Sequence, residues 1–361
     1  MKKKKTVVWG YFAKNLGDDL MLKAFLNATK DKYKKVYINS YKEYRDYYSE
    51  LGVVVVSVNS FFYRVINKIL AVLHKPQLYY HYPIMLKGDF VILGGSLFAE
   101  SDNYDINQSQ FVNLSYAVNK SSDAYVIGSN FGPYNNKEFL HNYKSLFGRC
   151  KDVCFRDKKS YNIFSNNYNV RYAPDIILSG IWDETKHEKK SNSVIMSVID
   201  LDRRKDLQFA KKEYEAMMAD IAKIHLQCGD RVLLSAFCEF EGDVEACVRI
   251  KNLCGKDNVD IIVYNDWNFL DLFSSANKIY GTRFHSVILS MYYNIPCVPF
   301  IYTQKTYDAL ASYGVSFDCV NLRNLSDYSI KEITENYGIR DTNFDLKKLA
   351  EKQFDEVIGV D

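Results

Sequence analysis

The chain has 361 residues, of which 47% are hydrophobic, 15% aromatic and 25% charged, with only 6 Pro and 17 Gly. These proportions exclude a disordered, collagen-like or low-complexity protein, and the length predicts two domains, because a single core stops growing beyond roughly 250–300 residues. A net charge of +3 gives no footing for a nucleic-acid binder, but residues 1–75 hold 15 Lys+Arg against 6 Asp+Glu, a balance of +9 that leaves −6 for the rest.

The basic first stretch fits either an anionic partner, such as a phosphorylated substrate or an acidic membrane surface, or lysines solvated on helix faces. Lys2 to Lys5 lead into Thr6-Val7-Val8-Trp9-Gly10-Tyr11-Phe12, which is too short and too β-prone for the core of a secretion signal. Residues 51–75 are the most apolar segment, but Arg64 and Lys68 interrupt it and a spanning helix is not expected. The eight cysteines are scattered, without a CxxC pair or zinc-ligand spacing. They read as free thiols in a reducing cytoplasm, and no metal site is expected.

In chain order, strands are predicted near 6–12, 35–39, 52–58, 89–93, 124–128, 152–156 and 170–174. Helical patterns at 18–29, 61–74, 110–120, 137–148 and 158–166 lie between most of them. A polar stretch at 179–193 reads as a linker, after which the alternation restarts. Strands at 194–199, 231–237, 260–264, 278–281 and 297–302 then alternate with helices at 207–227, 241–254, 268–276 and 284–293. One final helix is predicted over 343–358, with Leu346, Leu349, Ala350, Phe354, Val357 and Ile358 on one stripe.

Alternation of this kind means βαβ units and parallel sheets covered on both faces. The expected fold is α/β, with two doubly wound Rossmann-like domains facing a cleft. The expected boundaries are 1–180, 181–340 and a closing helix at 341–361 that packs at the domain junction. Ligands of such sheets bind beyond the carboxyl ends of the strands.

The first candidate site is the turn Gly10-Tyr11-Phe12-Ala13-Lys14-Asn15-Leu16-Gly17-Asp18-Asp19 after strand one. Asp18 and Asp19 stand where a helix cap belongs, worth about 1 kcal/mol, or where a carboxylate serves as general base for a hydroxyl nucleophile. The absence of GxGxxG, of an acidic end to strand two and of GxxxxGK[ST] argues against NAD enzymes and Walker nucleotidases. Gly94-Gly95-Ser96-Leu97 and Gly128-Ser129-Asn130-Phe131-Gly132-Pro133 follow later strands, and open amides there suit a sugar or a phosphate. Arg156 either presents a fork to an anion or pairs with Asp157. In Gly281-Thr282-Arg283-Phe284-His285, a guanidinium and an imidazole sit on the first turn of a helix, whose dipole already favours anions. Tyr302 and Lys305 follow the next strand, where the lysine is expected to reach the same anion.

This ordered set resembles the polysaccharide pyruvyl transferase family. The matching residues are Asn15-Leu16-Gly17-Asp18-Asp19, Gly94-Gly95, Gly128 to Pro133, Arg156-Asp157 with Ser160, Ala173-Pro174-Asp175, Gly281 to His285, Pro296, Tyr302 and Lys305, spread over about residues 6–305. The resemblance implies a GT-B-like fold and transfer of pyruvate from phosphoenolpyruvate to a sugar of a bacterial surface polysaccharide, or of its nucleotide- or lipid-linked precursor, as a cyclic ketal with loss of phosphate. It places the donor on Arg283 and His285, an assignment extended here to Arg156, Lys305 and Thr282. His285 is the expected acid and Asp18 the expected base. Asn15, Gly17, Asp19, Gly94, Gly95, Ser96 and Asn130 are expected on the acceptor side. No metal and no cofactor beyond phosphoenolpyruvate as co-substrate is expected.

The apolar stripe of Phe61, Phe62, Val65, Ile66, Ile69, Leu70 and Leu73, with Arg64, Lys68 and Lys75 beside or after it, reads in two ways. It rests on the cytoplasmic leaflet near a lipid-pyrophosphate-linked sugar, or it is a buried interhelical face. The expected location is therefore cytoplasmic, with peripheral membrane contact under the first reading. Two other functions fit the same architecture: a GT-B nucleotide-sugar glycosyltransferase and a non-catalytic carbohydrate-binding partner in polysaccharide assembly.

Overall fold

A computed structural model describes residues 3–183, 191–255, 259–340 and 345–359. Part of the expected linker, 184–190, lies outside the described residues, as do 343 and 344 of the final helix. In the first half the elements run β1 (Lys4–Trp9), α1 (Leu16–Thr29), β2 (Tyr33–Ser40), α2 (Arg45–Glu50), β3 (Val54–Ser57), α3 (Phe61–Val72), α4 (Tyr82–Leu86), β4 (Asp89–Leu93), α5 (Tyr104–Lys120), β5 (Ala124–Ser129), α6 (Lys137–Phe147), β6 (Asp152–Phe155), α7 (Lys158–Phe164) and β7 (Val170–Tyr172). In the second half they run β8 (Ser193–Ser197), α8 (Lys211–Gln227), β9 (Arg231–Ala236), α9 (Asp243–Cys254), β10 (Val259–Val263), α10 (Asn268–Ser274), β11 (Lys278–Gly281), α11 (Phe284–Tyr292), β12 (Cys297–Ile301), α12 (Gln304–Ser312), β13 (Ser316–Phe317), β14 (Val320–Asn321), α13 (Ile330–Glu335), β15 (Ile339–Arg340), α14 (Leu346–Glu351) and α15 (Asp355–Ile358).

The first sheet has the order β3-β2-β1-β4-β5-β6-β7 and the second β10-β9-β8-β11-β12-β14, all pairs parallel. Both open with the doubly wound succession in which the strand order reverses beside the first strand, at β1/β4 and at β8/β11. That reversal leaves a crevice at the carboxyl ends where ligands bind. The central strands β4, β5 and β12 are buried at every position, as helices on both faces require. Their sequences are accordingly near-continuous apolar runs. In the first unit, edge-to-face contacts among Phe98, Phe131, Phe147 and Phe164 fill the space between sheet and helices.

The chain divides into two compact units. One takes Met1–Ala13, Asp18–Trp182 and Leu346–Asp361, the other Lys14–Gly17 and Asp183–Asp345. The final helix is not the single rod that the periodicity predicts. It breaks at a tight 3₁₀ turn, Lys352–Phe354, between α14 and α15. The break turns Gln353 fully inward, where it donates to the carbonyls of Ala173 (2.7 Å) and Pro174 (3.0 Å) and accepts the Gly128 N–H (2.9 Å). Leu346, Ala350, Phe354 and Val357 are buried as the stripe predicts, whereas Leu349 and Ile358 are exposed.

Candidate functional site

Of the expected acceptor residues, Asp19, Gly94, Gly95, Ser96 and Asn130 lie in the first unit, near the carboxyl ends of β1, β4 and β5, and Asn15 and Gly17 in the second, but several have other duties. Helix α1 begins at Leu16, so Asp18 and Asp19 fall in its first turn rather than at its cap. Asn15 does the local capping, its Oδ1 accepting the Gly17 N–H at 3.1 Å. Asp19 is fully buried and accepts the hydroxyls of Tyr47 (3.0 Å) and Tyr48 (2.7 Å). The expectation that Asp19 meets a sugar is thus corrected: its carboxylate anchors α1 to α2. Asp18 is turned instead towards the next loop, and a Cβ on Gly95 would come 3.2 Å from its Oδ1. Gly94 and Gly95 have φ of +66° and +70°, the left-handed region open to glycine, which lets that loop pass close to α1.

In the loop after β5, the amides expected to be open are engaged. Gly128 N–H goes to Gln353, Asn130 N–H to the Gly95 carbonyl, Phe131 N–H to Ser160 Oγ and Gly132 N–H to the Phe98 carbonyl. Ser96 Oγ donates to Asn130 Oδ1 at 2.9 Å, and that oxygen also accepts from Arg156 at 2.7 Å. Arg156, itself buried, holds Asp175 at 3.0 Å. Asp157 accepts the N–H and hydroxyl of Ser160, as the cap of α7. Arg156, expected to meet the donor anion, ties the loops after β5 and β7 together through its guanidinium, and breaking such a buried pair is costly.

In the second unit the carboxyl ends of β8, β9, β11 and β12 bring together a denser set of charges. Gly281 ends β11, and the Thr282 and Arg283 amides cross the strand-order reversal to the carbonyl and hydroxyl of Ser197 on β8 (3.3 and 3.1 Å). Thr282 Oγ1 shares a hydrogen bond of 3.0 Å with Tyr214. Arg283 is buried, its Nε and one Nη clasping Asp243 and the other Nη donating to Glu241 Oε2 at 2.6 Å. Two carboxylates thus hold the fork of Arg283, the group expected to meet the donor anion.

Beside that clasp stand cations that are differently placed. Arg204, after β8, lies over the Tyr302 ring at 5.0 Å and donates to Glu241 at 3.3 Å, with its side chain one-third exposed. Lys305, on the first turn of α12, sits 5.9 Å from the Phe284 ring centre. Burial pushes the Tyr302 phenol up, but Lys305, Arg204 and Arg283 together bring it below its ordinary value. Burial likewise opposes ionisation of Glu241, yet Arg283, Arg204 and Lys305 hold its pKa below the usual carboxylate range. For Asp243 burial prevails over Arg283 and raises the pKa. Arg283, Arg204 and Lys305 thus converge on Glu241 and Tyr302, and the α11 amino terminus adds its own positive end. His285 is half-buried on that first turn, with its imidazole packed against the backbone of Gly17.

Sequence reading missed Arg204, Glu241 and Asp243. The available signal was their nearness to the carboxyl ends of predicted strands, with Glu241 and Asp243 at the start of the helix predicted over 241–254; what it lacked was any spacing motif. Among the described residues, no three His, Cys, Asp or Glu side chains stand together so as to hold a metal ion, and no helix is long and apolar enough to cross a membrane.

Comparison with known proteins agrees with this geometry. The fold is similar to that of UDP-GlcNAc 2-epimerase from Neisseria meningitidis bound to UDP-GlcNAc, with a TM-score of 0.62 at 11% identity over 99% of this chain and 100% of that one. It is also similar to UDP-GlcNAc 2-epimerase from Methanocaldococcus jannaschii in complex with UDP-GlcNAc and UDP (TM-score 0.60, 10% identity, 99% and 100% covered). A third similar structure is Anabaena Alr3699/HepE in complex with UDP and glucose (TM-score 0.52, 12% identity, 98% and 95% covered). At these identities the likeness concerns the fold, which is of the GT-B-like class with two doubly wound α/β units. In sequence, the chain is 22% identical over 264 residues to the amylovoran biosynthesis protein AmsJ of Erwinia amylovora, covering 66% of this chain and 62% of that protein's length. The family described as polysaccharide pyruvyl transferase matches residues 15–304. That match takes in most of the chain, from the Asn15 turn through Arg283 and His285 to β12, and the chain belongs to the polysaccharide pyruvyl transferase family.

Proposed function

We propose that this protein transfers pyruvate from phosphoenolpyruvate to a sugar of a surface polysaccharide or its precursor, closing a cyclic ketal and releasing phosphate. The observation that carries the reading is the convergence of cations at the carboxyl ends of the second sheet, where Arg204 lies over Tyr302 and Lys305 acts on the same phenol beside the Arg283 clasp. Phosphoenolpyruvate presents a phosphate and a carboxylate on three carbons, and such a donor calls for more than one cation. In this scheme Arg204 and Lys305 meet the anion. Arg283 acts as a positioning residue, fixing Glu241 and the first turn of α11.

The chemistry follows from the donor. His285 protonates the methylene carbon, and the electron pair of the C=C bond becomes the new C–H bond. The resulting oxocarbenium-like centre is attacked by one sugar hydroxyl, whose proton passes to a base; Asp18, the residue after Gly17, is proposed for that part. The C–O bond to phosphate then breaks, the pair leaving with phosphate, and the second hydroxyl closes the ring and gives up its proton. One phosphoenolpyruvate and two hydroxyls thus yield one ketal and one phosphate. A relative in amylovoran biosynthesis supports a setting in polymer assembly.

The test is incubation with phosphoenolpyruvate and a panel of nucleotide- and lipid-linked sugars, following phosphate release and product mass. Acceptor-dependent phosphate release that His285→Gln abolishes is the expected result. Release of a nucleoside diphosphate from the sugar donor without phosphoenolpyruvate would assign the protein to glycosyl transfer instead. Sugar binding without turnover would leave it a binding partner.

A further inference from the structure

We infer that α3 docks the protein onto an anionic lipid surface. The helix is turned to solvent on most of its circumference. Phe61, Phe62 and Val72 are 75%, 78% and 79% exposed, Leu73 just after it 58%, and Tyr63 is its one buried residue. At 3.6 residues per turn, the exposed apolar side chains cover an arc of roughly 140°. Tyr63 faces the fold on the opposite side, and Arg64, Lys68 and, past the helix, Lys75 line one flank of the apolar arc. A soluble surface normally breaks up apolar area of this extent, and a contiguous patch with a polar rim marks an interaction face.

Charge selects the occupant. From Leu51 to Gly88 the chain carries Arg64, Lys68, Lys75 and Lys87 and no Asp or Glu. A helix destined to pack on another protein copy would meet these same cations across a two-fold axis, which is unfavourable, whereas an acidic lipid surface meets both the apolar arc and the cations. The helix starts four residues beyond β3, at the carboxyl end of that edge strand. Of the two sequence readings of 61–75, the exposure of α3 supports this one over a buried interhelical face. The inference is independent of the transfer reaction, and its test needs no donor or acceptor.

The experiment is flotation of the full-length protein with vesicles of phosphatidylcholine alone or of equal parts phosphatidylcholine and phosphatidylglycerol. Binding to the mixed vesicles at low salt, weakening as salt rises and absent on the neutral ones, is expected. Arg64→Gln with Lys68→Gln should cut partitioning roughly 30-fold, at about 1 kcal/mol per basic residue near an anionic surface. Phe62→Ser with Val72→Ser should abolish it. Both pairs are at solvent-exposed positions, and thermal melts followed by circular dichroism show that the fold is kept. Failure of the native protein to float with anionic vesicles, equal flotation with both lipids, or unchanged flotation of the Phe62/Val72 variant would each overturn the proposal. A concentration-dependent dimer lost in that variant would overturn it as well, by giving the face to a second copy.

Discussion

The imidazole of His285 rests directly on the backbone of Gly17, so closely that a methyl group at position 17 would occupy the place of Nδ1. The glycine of the first turn therefore sets where the histidine of α11 stands. Gly17→Ala forces the ring to move, and a rotating side chain yields more readily than backbone. The expected outcome is at least a roughly tenfold loss of kcat, about 1.4 kcal/mol in the barrier, with a melting temperature close to that of the native protein. Phosphate-release kinetics beside calorimetry check both halves.

Arg204 and Arg283 should separate in the same assays. Arg283→Gln leaves Asp243 buried without its partner, and chemical denaturation should show a loss of about 3–5 kcal/mol. Arg204, one-third exposed, can be replaced by Gln with a stability change within about 1 kcal/mol. Its loss should instead raise the KM for phosphoenolpyruvate and weaken binding of inorganic phosphate.

Tyr302 should ionise below the ordinary phenol value of 10.0 because Lys305, Arg204 and Arg283 outweigh its burial. A depressed folded-state pKa means that ionisation adds stability which is fully present above the unfolded value and is lost as pH falls through the folded one. The contribution therefore belongs to alkaline pH and vanishes towards neutrality. Ultraviolet titration of the native protein minus Tyr302→Phe should show one phenol ionising early, and Arg204→Gln should move that step up.

The two aspartates of the first turn should part company. Asp19→Asn weakens the charged acceptor of two tyrosine hydroxyls, and urea unfolding should register about 1.5–3 kcal/mol per hydrogen bond affected. Asp18→Asn should lower turnover with acceptor in steady-state phosphate-release assays.

Gln353→Leu strands the Gly128 N–H and the carbonyls of Ala173 and Pro174 in a buried place. A loss of about 1–3 kcal/mol for each group left unsatisfied is expected, read as a lower urea midpoint.

Much of this molecule could be read from its residues. The strands from 6–12 to 297–302 announce themselves because a parallel sheet covered on both faces demands unbroken apolar runs, and each of those predicted segments coincides with a strand of one of the two large sheets. Glycine-bearing turns at their carboxyl ends gave the site's neighbourhood for the same reason. What sequence could not show was which charges were already matched. Arg156 and Arg283 look like anion forks until Asp175, Asp243 and Glu241 are seen in their grip, and those carboxylates lie 19, 40 and 42 residues away in the chain. The break in the final helix escaped notice because Gln353, polar and mid-helix, gives no signal until its distant partners are in place.

Because residues 346–358 complete the first unit while lying beyond the second in the chain, a ribosome must deliver all of 183–345 before that first unit can close. The second unit has only the short Lys14–Gly17 piece to recruit, and that piece emerges early. Synthesis thus runs in the order of a parenthesis: what opens first is finished last.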